Sequence, residues 1–168
     1  MTAIDPGESA RPGLAAPRSR RQMMCALLGL GLPAAWAADP QLPVATALAD
    51  HLKVALQRKE PLLVMVSLPG CPFCKAVRES HLAPMQREQG LQVVQVDMLS
   101  GQPLRDFRGA MQTHTQQIES WAVRIAPTVL FFGRNAVELV PRLTGGYLPD
   151  FYGAYLDQRL ETARKALA

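Results

Sequence analysis

Leu62-Leu63-Val64-Met65-Val66-Ser67-Leu68-Pro69-Gly70-Cys71-Pro72-Phe73-Cys74-Lys75 is the stretch on which the reading of the fold turns. Its first seven residues form a nearly continuous apolar run of strand length, which suits a strand buried on both faces. Pro69-Gly70 breaks that strand. The two cysteines then stand three apart at the start of a predicted helix, with Pro72 in the first turn, where its missing N–H is no loss. That spacing puts both sulfurs on one helix face. The free N–H groups of the helix start point at Cys71 and favour its thiolate, the species that attacks a disulfide. Cys74, one turn further in and more buried, is placed to resolve the mixed disulfide.

Two plainer readings compete. A structural disulfide closing so short a loop removes little chain entropy and stabilises weakly. A zinc site needs four ligands, usually with a second Cys or His pair. His51, His81 and His114 are scattered, while Met65, Met85, Met98 and Met111 suit Cu(I) but more often fill cores. A buried strand before the C-x-x-C and a helix after it favour redox chemistry.

Outward from this centre, residues 44–59 carry Val44, Leu48, Leu52 and Ala55 at helical spacing, and Pro61 ends that helix. The helix after Cys71 is expected to kink or stop near Pro84. Residues 91–96 form a second strand, closed by Asp97 in a turn role. Residues 98–112 resist assignment. Thr113 or Thr115 caps a helix through Arg124, with Ile118, Trp121, Ala122 and Ile125 on its apolar side. Residues 128–132 are a third strand, Gly133-Arg134-Asn135 a turn, and Val137 to Val140 the start of a fourth strand. A closing helix begins at Pro149. His81 reads as a surface helix residue and His114 as solvent-facing or beside a cap. This order predicts one α/β domain with a mixed central sheet flanked by helices.

The chain has 168 residues, 48% of them apolar and 19% charged, enough to bury a core and too apolar for wholesale disorder. Half of the net charge of +4 belongs to the first 37 residues; from Ala38 onward the balance is +2. With no basic cluster interleaved with aromatics, a nucleic-acid role has little support. Arg20-Arg21, a short apolar stretch from Met23 to Leu32 and the small-residue end Ala35-Trp36-Ala37 form a bacterial-type secretory signal, with cleavage expected after Ala37. The paired arginines are similar to a twin-arginine signal, with the general secretory route as the alternative. Cys25 would leave with the signal, so the mature chain, residues 38–168, keeps Cys71 and Cys74 in an oxidising compartment and has no stable membrane insertion.

Residues 62–75 resemble the first strand and active-site turn of the thioredoxin superfamily. Val123 to Phe132, centred on Ala126-Pro127-Thr128, resembles that family's cis-proline turn and following strand, and Arg142 to Tyr147 its closing strand and glycine. Gly146 to Phe151 is similar to exported bacterial thioredoxin-like proteins. The resemblance covers roughly residues 55 to 160 and implies a thioredoxin-like fold, with an extra helix at the N-terminal side and a helical insertion before the cis-proline. It further implies Cys71 as nucleophile, Cys74 as resolving cysteine, Gly70, Pro72 and Phe73 as the active-site turn, and Ala126 and a cis Pro127 as the place where an extended substrate pairs. Departures from the family pattern are Met65 where a buried acid usually stands, Gly70 in place of Trp, Ala126 in place of a large aliphatic, and a longer segment between Asp97 and Pro127. Without that acid, Cys74 must lose its proton to water or to another base. The longer segment is expected to hold extra helix beside the active site and to limit partners, with Phe107 and Trp121 as candidates to line that surface and core packing as the favoured role of Trp121.

The expected function is a periplasmic thiol–disulfide oxidoreductase acting on protein or small thiol and disulfide substrates and reset by a membrane redox partner. No cofactor, metal ligand or nucleic acid is called for. Pro72-Phe73 lies closer to the Pro-Tyr of glutaredoxins than to thioredoxin's Gly-Pro or the Pro-His of strong oxidants. A phenyl ring cannot donate a hydrogen bond to a thiolate, which favours a reductase or isomerase over a strong oxidant. The reading from another class is a non-enzymatic copper or zinc carrier or assembly factor using the same cysteines.

Overall fold

The computed structural model describes residues 41–145 and 149–168, with Pro149 and Asp150 described by their backbone alone. The expected export signal, Gly146 and Tyr147 lie outside the described residues. A helix α1 (Leu48–Gln57) leads into strand β1 (Leu62–Ser67). Helix α2 (Pro72–Val77) runs through a π-turn (Arg78–Leu82) into α3 (Ala83–Gln89), and β2 (Val93–Asp97) follows. Then come a small hairpin of β3 (Pro103–Arg105) and β4 (Met111–Thr113), helix α4 (His114–Ser120), strands β5 (Thr128–Phe132) and β6 (Leu143–Thr144), and the closing helix α5 (Pro149–Leu167).

The main sheet has the order β2-β1-β5-β6. β1 pairs parallel with β2 and antiparallel with β5, which pairs antiparallel with β6. All six residues of β1 and all five of β5 are buried, so the sheet centre is covered on both faces. The two-residue period sorts them. Leu63, Met65, Val93, Val129 and Phe131 face a layer built by α2, the π-turn, α3 and α5. Leu62, Val64, Val66, Val94, Val96, Leu130 and Phe132 face a layer of α1, β3 and α4. Each fully buried Leu, Val or Phe contributes about 1.5–3 kcal/mol relative to exposure.

Several expectations need correction. The first helix starts at Leu48, because Val44 is extended and bridges to Gln95 at the sheet edge, with Ala45 N–H on the Gln95 carbonyl and Gln95 N–H on the Pro43 carbonyl, both at 2.8 Å. The helix after Cys71 does not stop at Pro84. It widens into the π-turn, with Ala83 N–H on the Arg78 carbonyl, just before that proline, which then opens α3 in the first turn, where a proline fits. Gly90 ends α3 in the left-handed conformation that glycine adopts at no steric cost. Residues 137–140 make a single bridge, Phe132 to Glu138, and the paired strand is Leu143–Thr144 beyond Pro141, which has no N–H for the ladder. Helix α4 ends at Ser120 rather than Arg124, since Ala122 takes a positive φ.

Candidate active site

Leu68-Pro69-Gly70-Cys71 carries the chain from β1 to α2. Cys71 N–H donates to the Leu68 carbonyl at 3.2 Å, Pro69 occupies the second position and Gly70 the third with φ +76°, the residue pattern of a type II turn. That φ suits glycine and not tryptophan, which gives a local reason for Gly70. Cys71 is the N-cap of α2, extended at φ −77° and ψ 114°. Its Sγ accepts the Cys74 N–H at 3.1 Å, and its carbonyl accepts the Lys75 N–H at 3.1 Å. A thiolate at Cys71 would therefore take one of the orphan donors of the helix start. Pro72 is the first helical residue, and Phe73 is 51% exposed.

Both cysteines are free thiols; Cys71 is partly exposed and Cys74 fully buried. Burial, then the hydrogen bond with Cys71, pushes the Cys74 thiol up to about 11. The Ser67 hydroxyl and the Leu68 backbone act in the opposite direction. Met65 is buried in the same layer as Cys74, between Gln95 and Val129 in the sheet.

Pro127 is buried, the Ala126–Pro127 peptide is cis, and the Pro127 carbonyl accepts the Gly145 N–H at 2.8 Å. Thr128 Oγ1 donates to the Ile125 carbonyl at 2.7 Å and holds the turn. Cys71 and Ala126 are partly buried and pack on one apolar cluster, the one containing Cys74. The structure thus brings the residues of the C-x-x-C turn and the proline turn onto one layer.

A cleft of about 540 Å³ opens beside Cys71, bordered by Ser67, Gly70, Lys75, Arg78, Gln95 and Asp97. Sequence reasoning missed the part of its polar wall made by Gln95 and Asp97, because those residues come from a different strand, β2. The insertion between β2 and β5 is a β-hairpin plus one short helix, not purely helical, and its aromatics lie away from the cysteines. The Phe107 ring is 4.8 Å and the Trp121 ring 5.4 Å from the Phe132 ring, all in the layer on the opposite face of the sheet. Trp121 therefore packs against the core, and neither aromatic lines the cysteine cleft.

His114 is 0% exposed rather than solvent-facing. Its Nδ1 accepts the Asp97 N–H at 3.0 Å, and its Nε2 bonds the Ala45 carbonyl at 3.0 Å. His81 is half-buried, its ring 5.2 Å from that of Tyr152, and burial lowers its pKa. Among the described residues no three His, Cys, Asp or Glu side chains gather at metal-binding spacing, and no helix is long and apolar enough to cross a membrane.

No curated protein matches the chain by sequence. Among solved structures, the periplasmic thioredoxin SoxS from Paracoccus pantotrophus is 23% identical over 62% of this chain and 99% of its own, with a TM-score of 0.41. Thioredoxin NaTrxh from Nicotiana alata is 15% identical over 74% of this chain and 96% of its own, with a TM-score of 0.48. The DsbH oxidoreductase, 16% identical over 85% of this chain and 99% of its own at a TM-score of 0.50, shares the fold. Residues 48–160 match the family model of the thioredoxin-like domain; with most of its length under that model, the chain belongs to the thioredoxin superfamily of thiol–disulfide oxidoreductases.

Proposed function

We propose that the protein is a periplasmic thiol–disulfide oxidoreductase working through Cys71 and Cys74. The observation that carries this reading is the Cys71 Sγ seated on the Cys74 N–H at the start of α2, with the Cys74 thiol buried behind it. Cys71 thiolate attacks a substrate disulfide, forming a Cys71–substrate bond and releasing the first substrate sulfur as a thiolate, which takes a proton. Cys74 then attacks Cys71, its proton passes through solvent to the second substrate sulfur, and the enzyme holds the disulfide.

The order of events follows from Cys74. At neutral pH its thiol, pushed up to about 11, stays protonated in the reduced protein. Two of the influences that raise it, the hydrogen bond and the charge of Cys71, come from the partner sulfur. A mixed disulfide on Cys71 removes that charge and eases the ionisation of Cys74 at the moment it must attack.

Gly70, Pro72 and Phe73 shape the active-site turn, and Ala126 and Pro127 receive an extended substrate. The packing of Ala126 on the cluster that carries Cys71 supports its part in this assignment. Phe73 and Ile125, 51% and 55% exposed, offer apolar contacts to a protein substrate. The exposed Phe73 ring has no donor for the thiolate, which supports a reductase or isomerase. Residues 1–37 direct export, by the twin-arginine or the general secretory route, and a membrane redox partner resets the pair.

Insulin reduction under a dithiol reductant tests the reading. Cys71→Ser is expected to abolish turnover, and Cys74→Ser to accumulate mixed disulfide; full activity in Cys71→Ser would sink it. Equilibration with glutathione buffers sets the direction, on a family scale of roughly −270 to −120 mV.

A further inference from the structure

Ser67 is the one polar residue of β1, at its last position and 1% exposed. Burying a hydroxyl at the end of an apolar strand is costly unless it is bonded. Its Oγ accepts from Arg78 Nη2 at 3.4 Å. Arg78 stands four residues after Cys74, on the same helical face. Its Nε donates to Gln95 Oε1 at 2.9 Å, and its Nη1 to Gln41 Oε1 at 3.5 Å. Gln95 in turn donates from Nε2 to Asp97 Oδ1 at 2.7 Å. Among the described residues no carboxylate lies within ion-pairing distance of Arg78. Arg78 is linked to Asp97 through the Gln95 amide.

A guanidinium only donates. Ser67 Oγ therefore spends a lone pair on Arg78 and keeps its proton to give away. Ser67 follows Leu63 and Met65 at the two-residue period of the strand, which places it on the sheet face against which Cys74 packs, and its hydroxyl favours the ionisation of that thiol. Other titratable groups also lie around Cys74. Cys71 raises it, and Tyr152 from α5 is a buried phenol, itself raised by burial and by Cys74. His81 packs on Tyr152 with its pKa lowered by burial. Lys75, at the cleft mouth, pairs with Glu79 at 3.9 Å.

Resting on the thiol-exchange reading above, we infer that Ser67 and Arg78 are positioning residues for the resolving step: Arg78 holds and polarises the Ser67 hydroxyl, which donates to Cys74 Sγ as that sulfur becomes the attacking thiolate. In the step itself the Cys71–substrate S–S bond breaks, and the Cys71–Cys74 bond forms. The substrate sulfur leaves with the electron pair and takes up the proton that Cys74 lost to solvent, so no outside oxidant or reductant enters.

Stopped-flow reaction of the reduced protein with 5,5′-dithiobis(2-nitrobenzoate) separates the two steps. The first thionitrobenzoate is released by Cys71 and the second by Cys74 attacking the adduct. Ser67→Ala and Arg78→Gln are each expected to slow the second release about tenfold near neutral pH, equivalent to one unit in the ionisation of Cys74. The second release slows more than the first, the second-step profile moves to higher pH, and an unchanged circular-dichroism spectrum reports an intact fold. The double variant is expected to be no slower than Ser67→Ala alone, because the arginine acts through the hydroxyl, and Arg78→Lys to recover part of the rate. Unchanged second-step profiles in Ser67→Ala and Arg78→Gln would overturn the inference. So would a shifted profile in Tyr152→Phe with none in Ser67→Ala, which would move the donor to α5. Absence of a second release in the wild-type protein would instead defeat the thiol-exchange reading itself.

Discussion

Cys74 would couple the proposed redox chemistry to stability through one buried sulfur. Its ordinary value of 9.0 holds in the unfolded chain, while the folded protein pushes it up to about 11, chiefly by burial. For an acid raised in the folded state, the native protein keeps its proton where the unfolded chain has already lost it. The contribution to stability is therefore complete below pH 9.0 and is lost as pH rises toward about 11. Urea unfolding of the reduced protein should reveal a steeper alkaline loss of stability than that of reduced Cys74→Ser, which retains Cys71 and every other alkaline group. Parallel pH profiles for the two would mean that the Cys74 thiol is no harder to ionise in the fold than in the open chain. Under the proposed mechanism the same displacement would keep Cys74 silent as a nucleophile until Cys71 is engaged, so the stability measurement and the proposed order of the two chemical steps would report one property.

At the scale of elements, His114 is the pin of the insertion. It opens α4, directly after Thr113, whose side chain and the Gln116 side chain form a capping box at the helix start. The imidazole then bonds β2 through the Asp97 N–H and the lead-in to α1 through the Ala45 carbonyl. His114→Ala takes the side-chain partner from one buried and one part-buried backbone group and leaves a cavity behind, and is expected to cost about 2–4 kcal/mol. Faster hydrogen exchange at the Asp97 amide than at the central amides of β1 would locate the loss; an unchanged unfolding midpoint would refute the role. This histidine was illegible in the sequence. Between two threonines it reads as surface, and only contacts 17 and 69 residues away bury it. The hairpin of β3 and β4 was illegible for a related reason. Strands of three residues with burial on Leu104 and little else carry no measurable alternation. In contrast β1 and β5 were readable, since burial on both faces demands the unbroken apolar runs at Leu62 and Thr128. The cysteine turn was readable because Pro69, Gly70 and Pro72 each prescribe a local backbone. Its polar wall was not, because Gln95 and Arg78 meet only through the parallel pairing of β2 beside β1.

Across the whole molecule the sheet separates two chemistries. One face carries the thiol layer of α2, α3 and α5, and the other carries α1 and the insertion. The aromatic group of Phe107, Trp121 and Phe132 sits on the second face. Arg142 ties it toward the sheet edge, donating to the Trp121 carbonyl at 2.7 Å and forking onto Glu138 at 2.6 and 3.1 Å. The two faces carry separate clusters of buried residues, and Phe107, Trp121 and Phe132 belong to the one that does not contain the cysteines. Trp121→Ala should therefore act on stability alone. The indole is only partly buried, so the expected loss is about 2 kcal/mol, below the range for a fully buried Trp. Both thionitrobenzoate release rates are expected to match the wild-type protein. Slowed release in Trp121→Ala at full occupancy of the folded state would mean that the insertion reaches the cysteines through the sheet, and that the two faces are not independent.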